Sequence, residues 1–194
     1  MIDRWINTVQ KGNCIGLMHQ LPPRSIDLIT TDPPANEGPL WLGEAFRVLK
    51  SGRVCYVLST EATMQRFKSF VDSSEFRLIM QIVWKHPDAP IYKWTPIFLL
   101  SRGEPRVELL PTSSEWNYAV VPLETRIIPA QKPIELIEYM ILNSSHPGEI
   151  VLDPYLGVGS TAIACKRLNR HWIGMEILTD RCRISRDRLA QVIP

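Results

Sequence analysis

An apolar run, a turn and a pair of glycines follow one another in Glu149-Ile150-Val151-Leu152-Asp153-Pro154-Tyr155-Leu156-Gly157-Val158-Gly159-Ser160-Thr161-Ala162. Glu149 to Leu152 reads as a strand, Asp153-Pro154-Tyr155 closes it, and small residues lead into a helix over 162–168. Strand, GxGxxA turn and helix in that order are the setting a nucleotide-binding fingerprint requires. The glycines let the backbone approach a ligand closely, and the helix N-terminus adds a favourable field. A second strand, His171 to Glu176, ends in a carboxylate 19 residues after Gly157. From there an acidic side chain can accept hydrogen bonds from both ribose hydroxyls. The spacing thus points to an adenosine-containing ligand, without separating NAD from S-adenosylmethionine.

Outward from this loop, strand and helix signals alternate. Ile26-Asp27-Leu28-Ile29-Thr30 is a buried-strand candidate that must turn at Asp32-Pro33-Pro34, because proline cannot continue a central strand. Leu40 to Lys50 reads as a helix with Leu42, Ala45, Phe46 and Leu49 on one face, stopped by Ser51-Gly52. Val54 to Leu58 is a further strand, Glu61 to Val71 a helix, and Arg77 to Trp84 and Ile97 to Leu100 strands. The proline-rich stretch 86–128 has no helical periodicity and is expected as an irregular excursion from the sheet. Lys132-Pro133 opens a helix carrying Ile134, Leu136, Ile137, Met140 and Ile141. Such alternation predicts an α/β domain with a mostly parallel sheet flanked by helices, a single unit over 1–194.

Composition narrows the classes. The chain has 194 residues, 45% hydrophobic and 22% charged, which suits one globular domain and argues against disorder. No apolar run approaches the roughly 20 residues a bilayer requires, and Met1-Ile2-Asp3-Arg4 lacks the layout of a signal peptide, so a soluble, cytoplasmic protein is expected. Cys14, Cys55, Cys165 and Cys182 and the four histidines are too scattered for a metal site and read as reduced thiols and ordinary polar residues. A net charge of +2 excludes binding driven mainly by a large positive field.

Asp32-Pro33-Pro34 sits at the C-terminal edge of a strand, where ligand sites of open α/β sheets lie. With the glycine loop it resembles a known family, the β-class amino-methyltransferases of DNA, which modify adenine N6 or cytosine N4. Asp27-Leu28-Ile29-Thr30-Thr31-Asp32-Pro33-Pro34 resembles the catalytic motif, Phe46 to Gly52 the segment that follows, and Gln131-Lys132-Pro133 the start of the helix covering the cofactor. Asp153 to Thr161 is similar to the family's cofactor loop. The catalytic motif precedes the cofactor motif, the permuted order of this class, and the resemblance runs from about Lys11 to Arg188.

The resemblance implies a Rossmann-like S-adenosylmethionine-dependent methyltransferase fold, with a twisted sheet and helices on both faces. It assigns catalysis to Asp32, Pro33 and Pro34, and the cofactor to Asn13, Cys14, Asp32, Lys132, Asp153, Tyr155, Gly157, Gly159, Ser160, Glu176 and Ile177. Asn13 falls where an Asp often binds the adenine amino group, Glu176 takes the ribose, and Ile177 packs on the adenine. Ala35, Lys93, Trp94 and Trp116 are assigned to the substrate base, with 86–128 as a short target-recognition segment. The implied reaction is methyl transfer from S-adenosylmethionine to adenine N6 in DNA, in a bacterial or phage-infected cell, with the base flipped from the duplex. No metal and no membrane are implied, and a homodimer or a methyltransferase partner subunit is the expected assembly.

Three departures lie on the substrate side. Ala35 stands where an aromatic usually stacks on the flipped base, Asn36-Glu37-Gly38-Pro39 is short, and Ile128-Pro129-Ala130 replaces a His-Pro-Thr pattern. The segment from Trp84 to Lys132 has six Lys/Arg against five Asp/Glu, so low sequence specificity is expected. The basic residues Lys166, Arg167, Arg170, Arg181, Arg183, Arg186 and Arg188 read as a solvated helix face, with phosphate contact as the rival. Rival functions are a silent cofactor-binding subunit that needs a partner, and a cytosine N4 or RNA methyltransferase.

Overall fold

The parallel centre of the sheet follows from residues that are apolar on both sides of the strand. In β2 (Ile26–Thr31) every residue is buried, and side chains alternate between two cores: Leu28 faces one, Ile29 the other. The computed structural model describes residues 2–87 and 93–192. The other strands are β1 (Thr8–Lys11), β3 (Leu49–Leu58), β4 (Arg77–Lys85), β5 (Trp94–Ser101), β6 (Glu115–Asn117), β7 (Ile150–Asp153) and β8 (His171–Glu176). They form one eight-stranded sheet in the order β1-β8-β7-β2-β3-β5-β4-β6. Pairing is parallel from β1 through β3 and for β4 with β6, and antiparallel where β5 meets β3 and β4. Tyr56 and Val151 join Leu28 on one face, while Val57, Phe98 and Leu152 join Ile29 on the other.

Helices cover both faces. On the Ile29 side lie α1 (Cys14–Met18), α2 (Leu40–Val48) and α3 (Met64–Asp72), burying Met18, Trp41, Leu42, Phe67 and Val71. On the Leu28 side lie α4 (Ile134–Ser144), α5 (Ser160–Arg167) and α6 (Thr179–Ala190), through Leu136, Met140, Ala162, Ile163, Cys182 and Leu189. The four cysteines are free and buried. Among the described residues no helix is long and apolar enough to cross a membrane, and no cluster of His, Cys, Asp or Glu could hold a metal ion.

Two local expectations change. The helix expected over Leu40–Lys50 ends at Val48, and Leu49 to Gly52 already belong to β3. The cause is tertiary: Arg102, at the end of β5, donates from Nη1 to the carbonyls of Phe46, Arg47 and Leu49 at 2.9, 2.9 and 2.6 Å, closing the helix early. Gly52, at φ +72°, then bends the strand rather than stopping the helix. In the stretch 86–128, expected to be irregular apart from the strand over Ile97–Leu100, that strand runs longer, as β5 over Trp94–Ser101, and β6 joins the sheet as well. Pro96 is accommodated because its missing donor is not needed: it lies opposite Val83, and its carbonyl accepts from Ser59 N at 3.0 Å.

At the N-terminal edge of the sheet, buried Arg53 lies 3.4 Å from Asp27 and donates from Nη1 to Glu149 at 2.9 Å. Lys50 and Ile150 N also reach the Asp27 carboxylate. Removing one member of a buried ionic set leaves its partners without compensation. Arg53→Met is expected to lower unfolding stability by about 3 kcal/mol, the low end for such a loss because Lys50 remains. Urea denaturation of the two proteins measures the difference.

Candidate functional site

β2 and β7 are neighbours, with Ile29 beside Leu152, so Asp32 and Asp153 leave the same edge of the sheet side by side. From β2 the chain proceeds to β3 on one side, and from β7 to β8 on the other, which makes this crevice the switch point where ligands of such sheets bind. Asp153 is almost fully buried. It accepts from Thr31 Oγ1 at 3.0 Å, Tyr155 N at 3.0 Å and Thr161 Oγ1 at 2.6 Å. One carboxylate therefore fixes the end of β2, the turn after β7 and the start of α5.

Three cavities meet at this edge, and among the described residues Asp32 is the one that lines all three. One runs along Gln131, Lys132, Gly157, Ser160 and Thr161. It continues past Tyr155 and Arg181 into a second, lined by Gly12, Asn13, Cys14, Glu176 and Ile177. The third opens on the far side of Asp32, between Pro33, Pro34, Ala35 and the residues of α3 and the turn before it. The expected cofactor residues, Gly159 excepted, thus line the first two cavities, which adjoin to form a groove.

The groove suits a nucleoside without phosphates. Glu176 receives Gly157 N at 3.0 Å and Leu178 N at 2.8 Å, which leaves further acceptor sites on its two oxygens. Ile177 lies beside it, 60% exposed, an apolar surface with nothing packed across it. The Tyr155 hydroxyl is buried at the groove without a hydrogen bond of ordinary geometry, beside Cys14 and Glu37, and burial pushes its pKa up. Such an orphaned donor fits a polar ligand seated there. At the turn, the amides of Tyr155, Gly157 and Gly159 are taken by Asp153, Glu176 and the Leu156 carbonyl, so few donors remain for a pyrophosphate. That separation of S-adenosylmethionine from NAD was not available from the spacing. Gly159 has φ +89°, and a Cβ there would lie 3.2 Å from the Ser185 Cβ, so glycine is required.

Several residues occupy places other than those expected. Asn13 Oδ1 caps α1, accepting from Ile15 N at 3.0 Å and Gly16 N at 3.4 Å, and is already committed when a ligand arrives. Lys132 reaches the carboxylate of Asp32, forming an ion pair across 100 residues of sequence, and also donates to the Ala130 carbonyl at 3.1 Å. Trp116 is not at the site: it is 3% exposed, packed between Tyr56 and Tyr139, with its indole N–H on the Ser113 carbonyl. An apolar face buried in the core cannot stack on a base. Trp94 and Lys93 stand at the start of β5, on the same edge as Asp32, but line none of the three cavities. Tyr92, a further stacking candidate, lies outside the described residues. The C-terminal basic group is less solvated than expected: Arg170, Arg186 and Arg188 donate to the carbonyls of Ser145, Val9 and Val158. Sequence reasoning missed Thr31, Thr161, Arg181, Arg66 and Phe70, whose roles depend on which strands become neighbours.

The fold is that of the Rossmann-like S-adenosylmethionine-dependent methyltransferases. A family model described as N6/N4-type DNA methylase matches residues 101–187. YubD, a protein of Escherichia coli (strain K12) described as a methylase, is 27% identical over 94% of this chain and 89% of its own length. Among solved structures, M1.HpyAVI in complex with S-adenosylmethionine superposes with a TM-score of 0.78 at 22% identity, over 94% of this chain and 98% of that one. PvuII DNA methyltransferase, cytosine-N4-specific, superposes at 0.80 with 18% identity, over 93% and 85%. Over residues 101–187 the chain is thus similar to the N6/N4-type DNA methylases, and over nearly its whole length it shares their fold.

Burial pushes the Asp153 carboxyl up to about 6, with the charge of Asp32 adding to it and the three hydrogen bonds opposing. Between the ordinary carboxyl value near 4 and 6, the folded chain holds a proton that the unfolded chain has released. Stability from this group therefore falls as pH rises through that window, by at most about 3 kcal/mol. Asp153→Asn keeps the shape, and the two threonine hydroxyls can turn to accept from the amide. The variant is expected to lose this decline: from pH 4 to 6.5 its melting temperature should gain several degrees on wild type, as followed by circular dichroism.

Proposed function

We propose that this protein transfers a methyl group from S-adenosylmethionine to the N6 amino group of adenine in DNA, with low sequence specificity. The observation that carries this reading is the position of Asp32, which lines both cavities of the groove of Glu176, Tyr155 and Gly157 and also the cavity beside Pro33 and Ala35. Bound S-adenosylmethionine supplies an electrophilic methyl carbon. The amino nitrogen of adenine is a poor nucleophile because its lone pair is delocalised into the ring. Asp32 and the Pro33 carbonyl would accept its two hydrogens, localise that pair toward the methyl, and leave Asp32 to take the proton released. Positioned acceptors carry most of such a step, with no covalent intermediate on the enzyme.

DNA is the proposed partner, with the base out of the duplex at a cost of a few kcal/mol. Weak specificity is supported by the fate of the cations near the 86–128 segment. Arg102 closes α2, Arg126 donates to the Val121 carbonyl at 3.0 Å, and Lys85 pairs with Glu115 at 2.5 Å. Few charges there are left to read a sequence. A second reading, a silent subunit that binds cofactor and relies on a partner for the chemistry, is favoured by one observation: Lys132 already occupies the carboxylate of Asp32.

Incubation with methyl-labelled S-adenosylmethionine and unmethylated DNA, single- and double-stranded, decides between them. Label is expected in N6-methyladenine, with Asp32→Ala reducing turnover at least a hundredfold. Label in N4-methylcytosine would replace the target base. Absence of label, with cofactor binding intact by calorimetry, would favour the silent subunit.

A further inference from the structure

The cavity on the far side of Asp32 lacks the aromatic that Ala35 replaces, yet its opposite wall carries one. Phe70, on α3, is half-buried and lines the cavity together with Ala35, Pro34 and Thr63. Its neighbour on the helix, Phe67, is spent in the core against Trp41 and Phe98, so the two phenylalanines differ in what they face. The guanidinium of Arg66 lies over the Phe70 ring, 5.2 Å from its centroid. Its terminal nitrogens reach the carbonyls of Ala35 and Glu37 at 3.5 Å each, long contacts that span the cavity from α3 to the loop after Asp32.

We propose that Phe70 is the base-stacking residue of this chain and that Arg66 positions it, so that the aromatic surface lost at position 35 is supplied from α3. The inference rests on the functional reading above, since it takes the occupant of this cavity to be the target base. A methyl group at position 35 leaves open the space that an aromatic there would fill. A base entering over Ala35 and Pro34 then meets the ring across the cavity. The bland alternative, that Phe70 only trims the edge of the core, accounts for its packed side. It leaves unexplained the Arg66 cation held 5.2 Å from the ring centroid and reaching toward the Ala35 carbonyl. Stacking tolerates any base because every base has a π-face, which agrees with a recognition segment poor in free charge.

The test compares binding of two fluorescent single-stranded oligomers of equal length, oligo(dA) and its abasic counterpart, by anisotropy with S-adenosylhomocysteine present. Both carry the same phosphates, so their difference reports the bases. Wild type is expected to prefer oligo(dA) about tenfold. Phe70→Leu, which keeps the packing bulk without the flat π-face, and Phe70→Ala should both lose that preference. Ala35→Tyr combined with Phe70→Ala should restore it. A wild type without preference, or a Phe70→Leu protein that keeps it in full, overturns the proposal. The methyl-transfer assay fails separately. Base preference lost in Phe70→Leu while wild type transfers no label would sustain the stacking role and reject the transferase reading.

Discussion

The Asp153 carboxylate is the constraint on which the rest of the site depends. Three donors converge on it from three elements: Thr31 at the end of β2, Tyr155 in the turn after β7, and Thr161 at the start of α5. A buried carboxylate is costly unless its hydrogen-bonding capacity is met, and here one group meets that need while setting three backbones at once. Asp32, one residue past Thr31, owes its position to this junction. So does the glycine turn, whose first amide continues the chain of contacts to Glu176 on β8. The proposed catalytic and cofactor motifs, more than a hundred residues apart in sequence, are thus one hydrogen-bonded unit.

The sheet explains why the two halves of the site differ. On the β7–β8 side, each expected residue sits on a strand end or a turn fixed by backbone bonds, and the geometry leaves few alternatives. On the β3–β5 side the chain leaves the parallel core, β5 runs antiparallel, and the cavity beyond Asp32 is bounded by a helix rather than by strand ends. Helix α3 can therefore take over a wall that the loop after Asp32 does not build. Ala35 and the short loop after it fall on this second side, where a helix residue can compensate, whereas Ile128 and Ala130 line the groove beside Lys132.

The parts of this arrangement that were legible in the sequence are those specified locally. The strand before Asp32, the turn with Gly157 and Gly159, and the acid at Glu176 each carry their own signal of spacing and residue type, and the structure places them along one edge. What was not legible depends on contacts made over long separations. Leu49 fits a helical face by its spacing, yet Arg102, fifty-three residues on, closes the helix before it. Trp116 reads from sequence as a stacking candidate, though an aromatic in such a segment is more often core, and the placement of β6 beside β4, over Tyr56 and Tyr139, makes it core. Phe67 and Phe70 look alike in sequence; the roll of α3 onto the sheet sends one inward and the other to the cavity.

The groove carries charges of both signs with carboxyl groups in excess, and this mixture bears on what can enter it. Lys132 meets Asp32 while its own carbonyl accepts from Ser160 Oγ at 3.0 Å, so the segment before α4 joins the catalytic carboxylate to the cofactor turn. Arg181 lies where the two halves of the groove join, and Glu176 closes its far end. Two cations, Lys132 and Arg181, and four carboxyl groups, Asp32, Glu37, Asp153 and Glu176, line these cavities, a mixture that suits a ligand carrying both signs, such as an amino acid joined to a nucleoside. They give little to a polyanion. Lys132 occupies only one oxygen of Asp32, and the other retains its lone pairs for an incoming amino group, so the ion pair need not break for the carboxylate to accept a hydrogen. The same contact that would hold Asp32 idle in a silent subunit can hold it in place in an active one. What separates the two is whether a base reaches the free oxygen, and that depends on the wall of α3.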